Sequence, residues 1–530
     1  MQPPDVAYQQ IPRSPRAEKH LAAARWVEQT AAERVADHAE ILVHHYGQAL
    51  ELVKAAGDER PDIEEKLVRF LLLAGDRATQ LDTEAAEAYY RRALELSEHD
   101  ERARAIALSK LAPVLGQRGD VDESRAATET AIASFRALDP HAAGVAMRYL
   151  ATALWAQGEL ARSRELELEA ISILEREPGS DLVSVYGSAA HRAALAGRFD
   201  DAAPLLEKGL AIAADLGIED VISLVQARAT VRGYAGDPGC IDDLREARDL
   251  GLRLGLGRAT AVSMNNLADA RAWFESLQAG REMWDEGIAF ARARGLTYAE
   301  MWCRGEQLRA LYHLGSWEKL ERDADEVVRW VEEHGGGQLE VFAHIHLAEV
   351  LVHRGSFAEA GGHVVALLPR ARESGDPQVL VPGLATAALV ASAQMEVATA
   401  LERVSELESL TRGGAPTWRS LCLAWPARIA AAAGDLELAE AFLDGSEHAS
   451  AWDGCARPAA RATIAEARGP LDDAATLYRE AAERWGEYGS VVEQAYALLG
   501  LGRCGDANAL REGQAIFAGL GASPVMAQAA

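Results

Sequence analysis

The amino-acid sequence predicts an all-α chain of stacked helical hairpins, an α–α superhelix. Three observations carry this: a glycine recurring about every 39 residues, small residues at fixed offsets behind it, and leucines at helical spacing in front of it. At 530 residues the chain is also too long for one ordinary globular core.

The period is read from segments such as "LGQRGDVDES", "WAQGELARSR", "ALAGRFDDAA", "YHLGSWEKLE", "LVHRGSFAEA" and "AAAGDLELAE". Each is an Ala/Leu-rich run, a glycine, a few turn or acidic residues, and a small residue opening another helical run. The glycines are Gly119, Gly158, Gly197, Gly236, Gly315, Gly355 and Gly434, in steps of 39, 39, 39, 79, 40 and 79. Degenerate copies near Glu275 and Met395 fill the two double steps, and shorter copies follow at Gly469 and Gly505. Glycine supplies the left-handed cap that ends the first helix of a hairpin. Acidic residues just beyond it favour the start of the second helix.

Five residues after the turn stand Ser124, Ser163, Ala202, Gly280, Ala360, Ala400, Ala439 and Ala474; twelve after it stand Ala131, Ala170, Gly209, Gly287 and Ala481. Small residues at these points let facing helices approach closely. Eight residues before the turn stand Leu111, Leu150, Leu267 and Leu347, with Leu115, Leu154 and Leu351 four further on, so both members of a pair share one helical face. An earlier unit places Ala86 and Ala93 five and twelve residues after a turn at Leu81. A hairpin cannot bury its apolar face alone and must stack on its neighbours. Counting Leu81, about twelve hairpins run from near Asp62 to Leu520. Pro113, Pro382 and Pro426 fall inside first helices, where each is expected to kink or shorten its helix.

Composition narrows function. With 54 Lys and Arg against 81 Asp and Glu the net charge is −27, which leaves no footprint for nucleic acid or for anionic membrane. The five cysteines form no C-x-x-C pair, a usage suited to a reducing cytosol. The opening MQPPDVAYQQ has no apolar signal-like core, and the run Val379–Ala393 is broken by Pro382 and Gly383 and is too short to span a bilayer. A cytoplasmic location is expected.

The second helix "EAAEAYYRRALEL" (Glu84–Leu96), together with the Leu/Ala first helix and glycine turn, resembles the tetratricopeptide repeat. The period near 39 is longer than the 34 residues of the standard repeat, and is similar to the long-repeat variant in the sensor arms of MalT-like bacterial regulators. The segment "DVAYQQIPRSPRAEKHLAAARWVEQ", followed by "AEILVHHYGQALEL" and "LLLAGDRATQLDTEAAEAYYRRALEL", covers about residues 5–96. It resembles one junction in actinobacterial AAA/STAND ATPase regulators of the adenylate/guanylate cyclase-like or LuxR type, where the ATPase module ends and the repeat tail begins. The resemblance implies a helical N-terminal adaptor over residues 1–60 and a repeat solenoid over 61–530. It also implies a protein or peptide partner, including a separately encoded ATPase or regulator docking at the basic Arg13, Arg16 and Lys19 on an otherwise acidic chain. Alternatives in the same resemblance are the C-terminal piece of a cyclase- or ATPase-containing enzyme, and a sensor for a small effector in the groove.

The chemistry such enzymes need is not encoded. The sequence contains no G-x-x-x-x-G-K-[ST], and "GLRLGLGRAT" (Gly251–Thr260) follows no strand and falls between repeats. Ser316 to Lys319 is a lone S-x-x-K in a repeat turn and reads as a helix N-cap. His44 and His45 are adjacent on a helix, about 100° apart, and do not by themselves share an ion; His346 and His353 are two turns apart. No catalytic residue, metal or cofactor is therefore expected. The candidate binding residues are Asn265, Asn266 and Asp269 in "SMNNLADARAW", on the first-helix face turned to the groove. In tetratricopeptide domains such asparagines hold peptide backbone or a terminal carboxylate, because an amide both donates and accepts. Trp273, Trp284, Trp302, Trp317 and Trp330 crowd the same repeats as packing residues or as an aromatic docking surface.

The purified chain is expected to hydrolyse neither ATP nor GTP and to form no cyclic nucleotide. Turnover above a no-protein control would sink the non-catalytic reading.

Overall fold

The structure, a computed structural model, describes residues 11–79, 82–335, 337–447, 449–469 and 471–522. The expected turn at Leu81 and residues 5–10 of the N-terminal motif lie outside them. Among the described residues there are 27 α-helices, one short 3₁₀ segment (Ala32–His38) and no strand. The helices alternate as hairpins, each pair packing against the next within its unit.

All seven predicted turn glycines have positive φ, between 72° at Gly197 and Gly315 and 103° at Gly119. A second series at Gly217, Gly255, Gly295, Gly335 and Gly375, also with positive φ, ends the second helices half a repeat later. The degenerate turn near Met395 shows what the glycine does elsewhere. Met395 itself takes the left-handed conformation, φ 64°, with its side chain in solvent. The small positions lie where the helices touch. Ser124 and Ser163 are buried and each donates its hydroxyl to a carbonyl of the facing helix, Ala112 and Ala151, at 2.7 Å. A Cβ at Gly280 would fall 2.6 Å from the Ala272 Cβ and 2.8 Å from the Ala268 carbonyl oxygen.

Pro113 and Pro382 are inside their helices as expected. At Pro426 the helix is split, Pro416–Cys422 ending before Ala424–Ala432 begins. Pro204, Pro369 and Pro458 are also accommodated inside helices. Ser316 stands at the N-cap position, but its hydroxyl makes no capping bond.

The chain forms two compact units: residues 1–150 with Arg294–Leu296, and residues 151–293 with 297–530. In the first, the helices Arg13–Ala31 and Ala39–Lys54 share one core with the first repeat helices Pro61–Ala78 and Thr83–Leu96. Tyr46 stacks on Phe70 at 5.6 Å and hydrogen-bonds Glu28, which also receives Lys66 at 2.6 Å. The adaptor boundary expected near residue 60 thus lies inside this unit. In the second unit the apolar positions of successive hairpins merge into two large clusters, in which Trp284 and Trp485 are fully buried. No helix among the described residues is long and apolar enough to cross a membrane.

Replacing Met395 by Gly is expected to stabilise the chain by about 1 kcal/mol, since the side chain is in solvent and a left-handed non-glycine residue costs roughly 1–2 kcal/mol. Gly280→Val should destabilise it by about 1–3 kcal/mol through overpacking. Denaturant melts of both variants check the signs.

Candidate functional site

The second unit holds a half-open cavity of about 150 Å³ lined by the first helices of its central and C-terminal hairpins. It exists because helices far apart in sequence meet across the unit. Tyr488 donates to the Ala272 carbonyl. His313 Nδ1 lies 3.1 Å from Ser490 Oγ, and His353 Nε2 lies 2.9 Å from the Tyr496 hydroxyl. The Thr417 hydroxyl reaches the Tyr234 carbonyl at 3.3 Å. The inner face of the hairpin stack is thereby closed on itself in this region.

Its polar centre is built on two neighbouring first helices, Gly257–Phe274 and Thr297–His313. Asp269 Oδ1 accepts from Arg309 Nη2 at 2.5 Å, and the Arg309 guanidinium lies 5.3 Å from the centre of the Trp273 ring. Glu306, one turn before Arg309, accepts from Trp302 Nε1 at 2.6 Å and from Asn265 Nδ2 at 3.1 Å. Burial raises Glu306 to about 7, and the charge of Asp269 adds to the rise. Burial also raises Asp269, against the pull of Arg309. Of the two half-buried carboxyls, Asp269 takes the Arg309 guanidinium and Glu306 is left with neutral donors.

Around this centre Glu349 accepts from His346 Nδ1 at 2.8 Å and from Thr386 at 3.2 Å, while Glu493 is held by Arg428. Burial, then Arg309, depresses His313 well below the ordinary imidazole range. Burial holds the Cys422 thiol protonated. Three wall residues, Arg309 (Nη1), Tyr312 (OH) and Trp418 (Nε1), each keep one buried polar atom without a hydrogen-bond partner.

The sequence-derived candidates fall in different places. Asp269 lines the cavity. Asn265 stands behind the wall, accepting from Trp284 Nε1 at 3.1 Å and orienting Glu306. Asn266 is half-buried beside it. Arg13 and Lys19 are exposed on the first unit, Arg13 donating to the Ala55 carbonyl at 2.9 Å, and Arg16 is half-buried. Of the crowded tryptophans, Trp273 faces the cavity, and Trp284, Trp317 and Trp330 are buried in the core.

Glu306, Arg309 and Glu349 were not among the candidates, although a signal for Arg309 and Glu349 exists. Six residues before successive turns stand Thr152, His191, Thr230, Asp269, Arg309, Glu349, Leu389 and Arg428. On helices otherwise rich in Ala and Leu, a polar residue recurring at one register position marks the inward line of the stack. Neighbouring members touch: Thr230 bonds His191 at 2.9 Å, and Arg309 bonds Asp269.

Residues 145–181 match the tetratricopeptide repeat family. No curated protein matches the sequence significantly. Among solved structures, the chain is similar to the apo form of RapI, with 12% identity over 52% of this chain and 98% of that one and a TM-score of 0.43. It is similar to a Rap protein complexed with competence and sporulation factor, with 17% identity over 56% and 76% and a TM-score of 0.36. It is also similar to yeast Tom70, with 14% identity over 94% and 99% and a TM-score of 0.33.

The raised Glu306 carboxyl gives a stability signature. Its value in the folded chain exceeds the unfolded one, so folding takes up a proton between about pH 4.5 and about 7. Its contribution is therefore present at low pH and lost as pH rises through about 7. Thermal melts should show stability falling more steeply across this window for the wild type than for Glu306→Gln. Parallel profiles would refute the assignment.

Proposed function

We infer that this chain is a non-catalytic receptor arm whose second unit takes a cation-bearing ligand in its inner cavity. The observation that carries this reading is the Glu306 carboxyl, met only by the neutral Trp302 and Asn265 donors beside the Asp269–Arg309 ion pair and next to an aromatic wall. An uncompensated carboxylate away from water is costly, and the cost is removed by a proton or by a cation. The flanking Trp273, Trp418 and Trp425 offer ring faces to an ammonium or guanidinium group. The unpartnered Arg309, Tyr312 and Trp418 atoms call for an oxygen acceptor on the same ligand. A basic amino-acid residue, free or at the tip of a peptide, carries both.

The cavity volume supports one such group rather than a docked helix, whose diameter is about 10 Å. This favours an effector sensor over a broad scaffold groove at this site. The regulatory role follows the N-terminal resemblance, in which an ATPase or regulator encoded separately would meet the first unit at Arg13, Arg16 and Lys19. Exposure of Arg13 and Lys19 supports that docking.

Tryptophan fluorescence titrations with free arginine, lysine and agmatine, and with short Arg- or Lys-ended peptides, test the reading. Saturable binding is expected that tightens as pH rises through about 7, because the ligand replaces the Glu306 proton. Asp269→Asn and Glu306→Gln should each weaken it by about tenfold or more. A preference for neutral or anionic analogues would overturn it.

A further inference from the structure

The first two helices of the first unit, Arg13–Ala31 and Ala39–Lys54, pack side by side and bring three imidazoles together. His20 comes from one helix, and His44 and His45 come from the other. The ring centroids are 5.9 Å apart for His20–His44, 5.3 Å for His20–His45 and 5.2 Å for His44–His45. The planes cross at 71°, 47° and 65°, so no two rings stack. His20 Nδ1 and His45 Nδ1 are 3.0 Å apart, and one ring nitrogen from each residue lies within 4.8 Å of the other two.

These separations are those of three imidazoles around a tetrahedral ion. With a metal–nitrogen distance of about 2.0–2.1 Å, each ring centroid sits about 3.2 Å from the ion, and two such centroids are about 5.2 Å apart. Adjacent helical positions diverge too far to chelate as a pair. His20, arriving from the opposite helix, adds a third imidazole within reach of both.

We propose that His20, His44 and His45 bind one borderline divalent transition-metal ion of the zinc type, with a fourth position left to solvent. An all-imidazole set suits Zn²⁺, Co²⁺, Ni²⁺ and Cu²⁺ and disfavours Mg²⁺ and Ca²⁺, which take oxygen ligands. The Arg16 guanidinium, one helical turn before His20, opposes a dication by its charge. A bound ion would tie Arg13–Ala31 to Ala39–Lys54 across the intervening Ala32–His38 segment. The competing arrangement is a plain N–H···N hydrogen bond between His20 and His45 with no ion.

The metal-free full chain is titrated with Co²⁺, read by its ligand-field absorption, and with Zn²⁺, read by calorimetry. One equivalent should bind, and Zn²⁺ should raise the melting temperature. His44 is exposed, so His44→Gln leaves the helices packed; it should weaken binding by about tenfold or more and abolish the thermal shift. His20→Gln and His45→Gln should do the same with unchanged circular dichroism, while His38→Gln, outside the cluster, should not. Arg16→Gln should tighten binding. Absence of saturable binding, or binding unchanged by His44→Gln and His45→Gln, would overturn the site and leave the hydrogen bond.

Discussion

The structure depends on how closely the two helices of a hairpin approach. Where Gly280 faces Ala268 and Ala272 there is no room for even one added methyl, and the Ser124 and Ser163 hydroxyls satisfy carbonyls across the same contact. Packing at this distance fixes the angle within each hairpin, because side chains larger than serine would wedge the helices apart. A fixed angle repeated at each step sets the curvature of the stack. In the second unit that curvature brings Trp452 against Trp273, and Tyr496 against Trp425.

Closing the inner face gives that surface a chemistry an open groove would lack. On an open surface Asp269, Arg309, Glu306 and Glu349 would be hydrated, and their charges would be screened over about 8 Å at physiological salt. Half-buried beside tryptophans, each carboxylate loses part of its hydration and gains from a partner. The structure supplies Arg309 to Asp269, Arg428 to Glu493, and only neutral donors, Trp302 and Asn265, to Glu306. The unmet charge at Glu306 is what distinguishes this part of the stack from ordinary repeat packing. Selectivity follows from it, since a cation gains where a neutral or anionic group loses.

Much of this was written at one register position. Residues six before the turns step along the inward line at intervals of 39 or 40, and their polarity stands out against the Ala and Leu around them. Asp269 was legible from the same helix pattern. Glu306 was not, because it lies three residues off that line and acquires its importance from Asn265 and Trp302 beside it. His20 escaped for a similar reason. His44 and His45 announce themselves as a pair, whereas the third imidazole is 24 residues upstream on another helix.

The sequence by itself determined the all-α class, the period, the turn glycines and the small contact positions, because these follow from local backbone preference and helical spacing repeated along the chain. Local rules of that kind act within one hairpin and its neighbour. Only the tertiary structure decided that His313 would meet Ser490 and His353 would meet Tyr496, partners 177 and 143 residues apart. Such pairings depend on small angles summed over several repeats, and no single residue encodes a sum. The cavity, its buried charges and the altered titration of Glu306 all arise at that level.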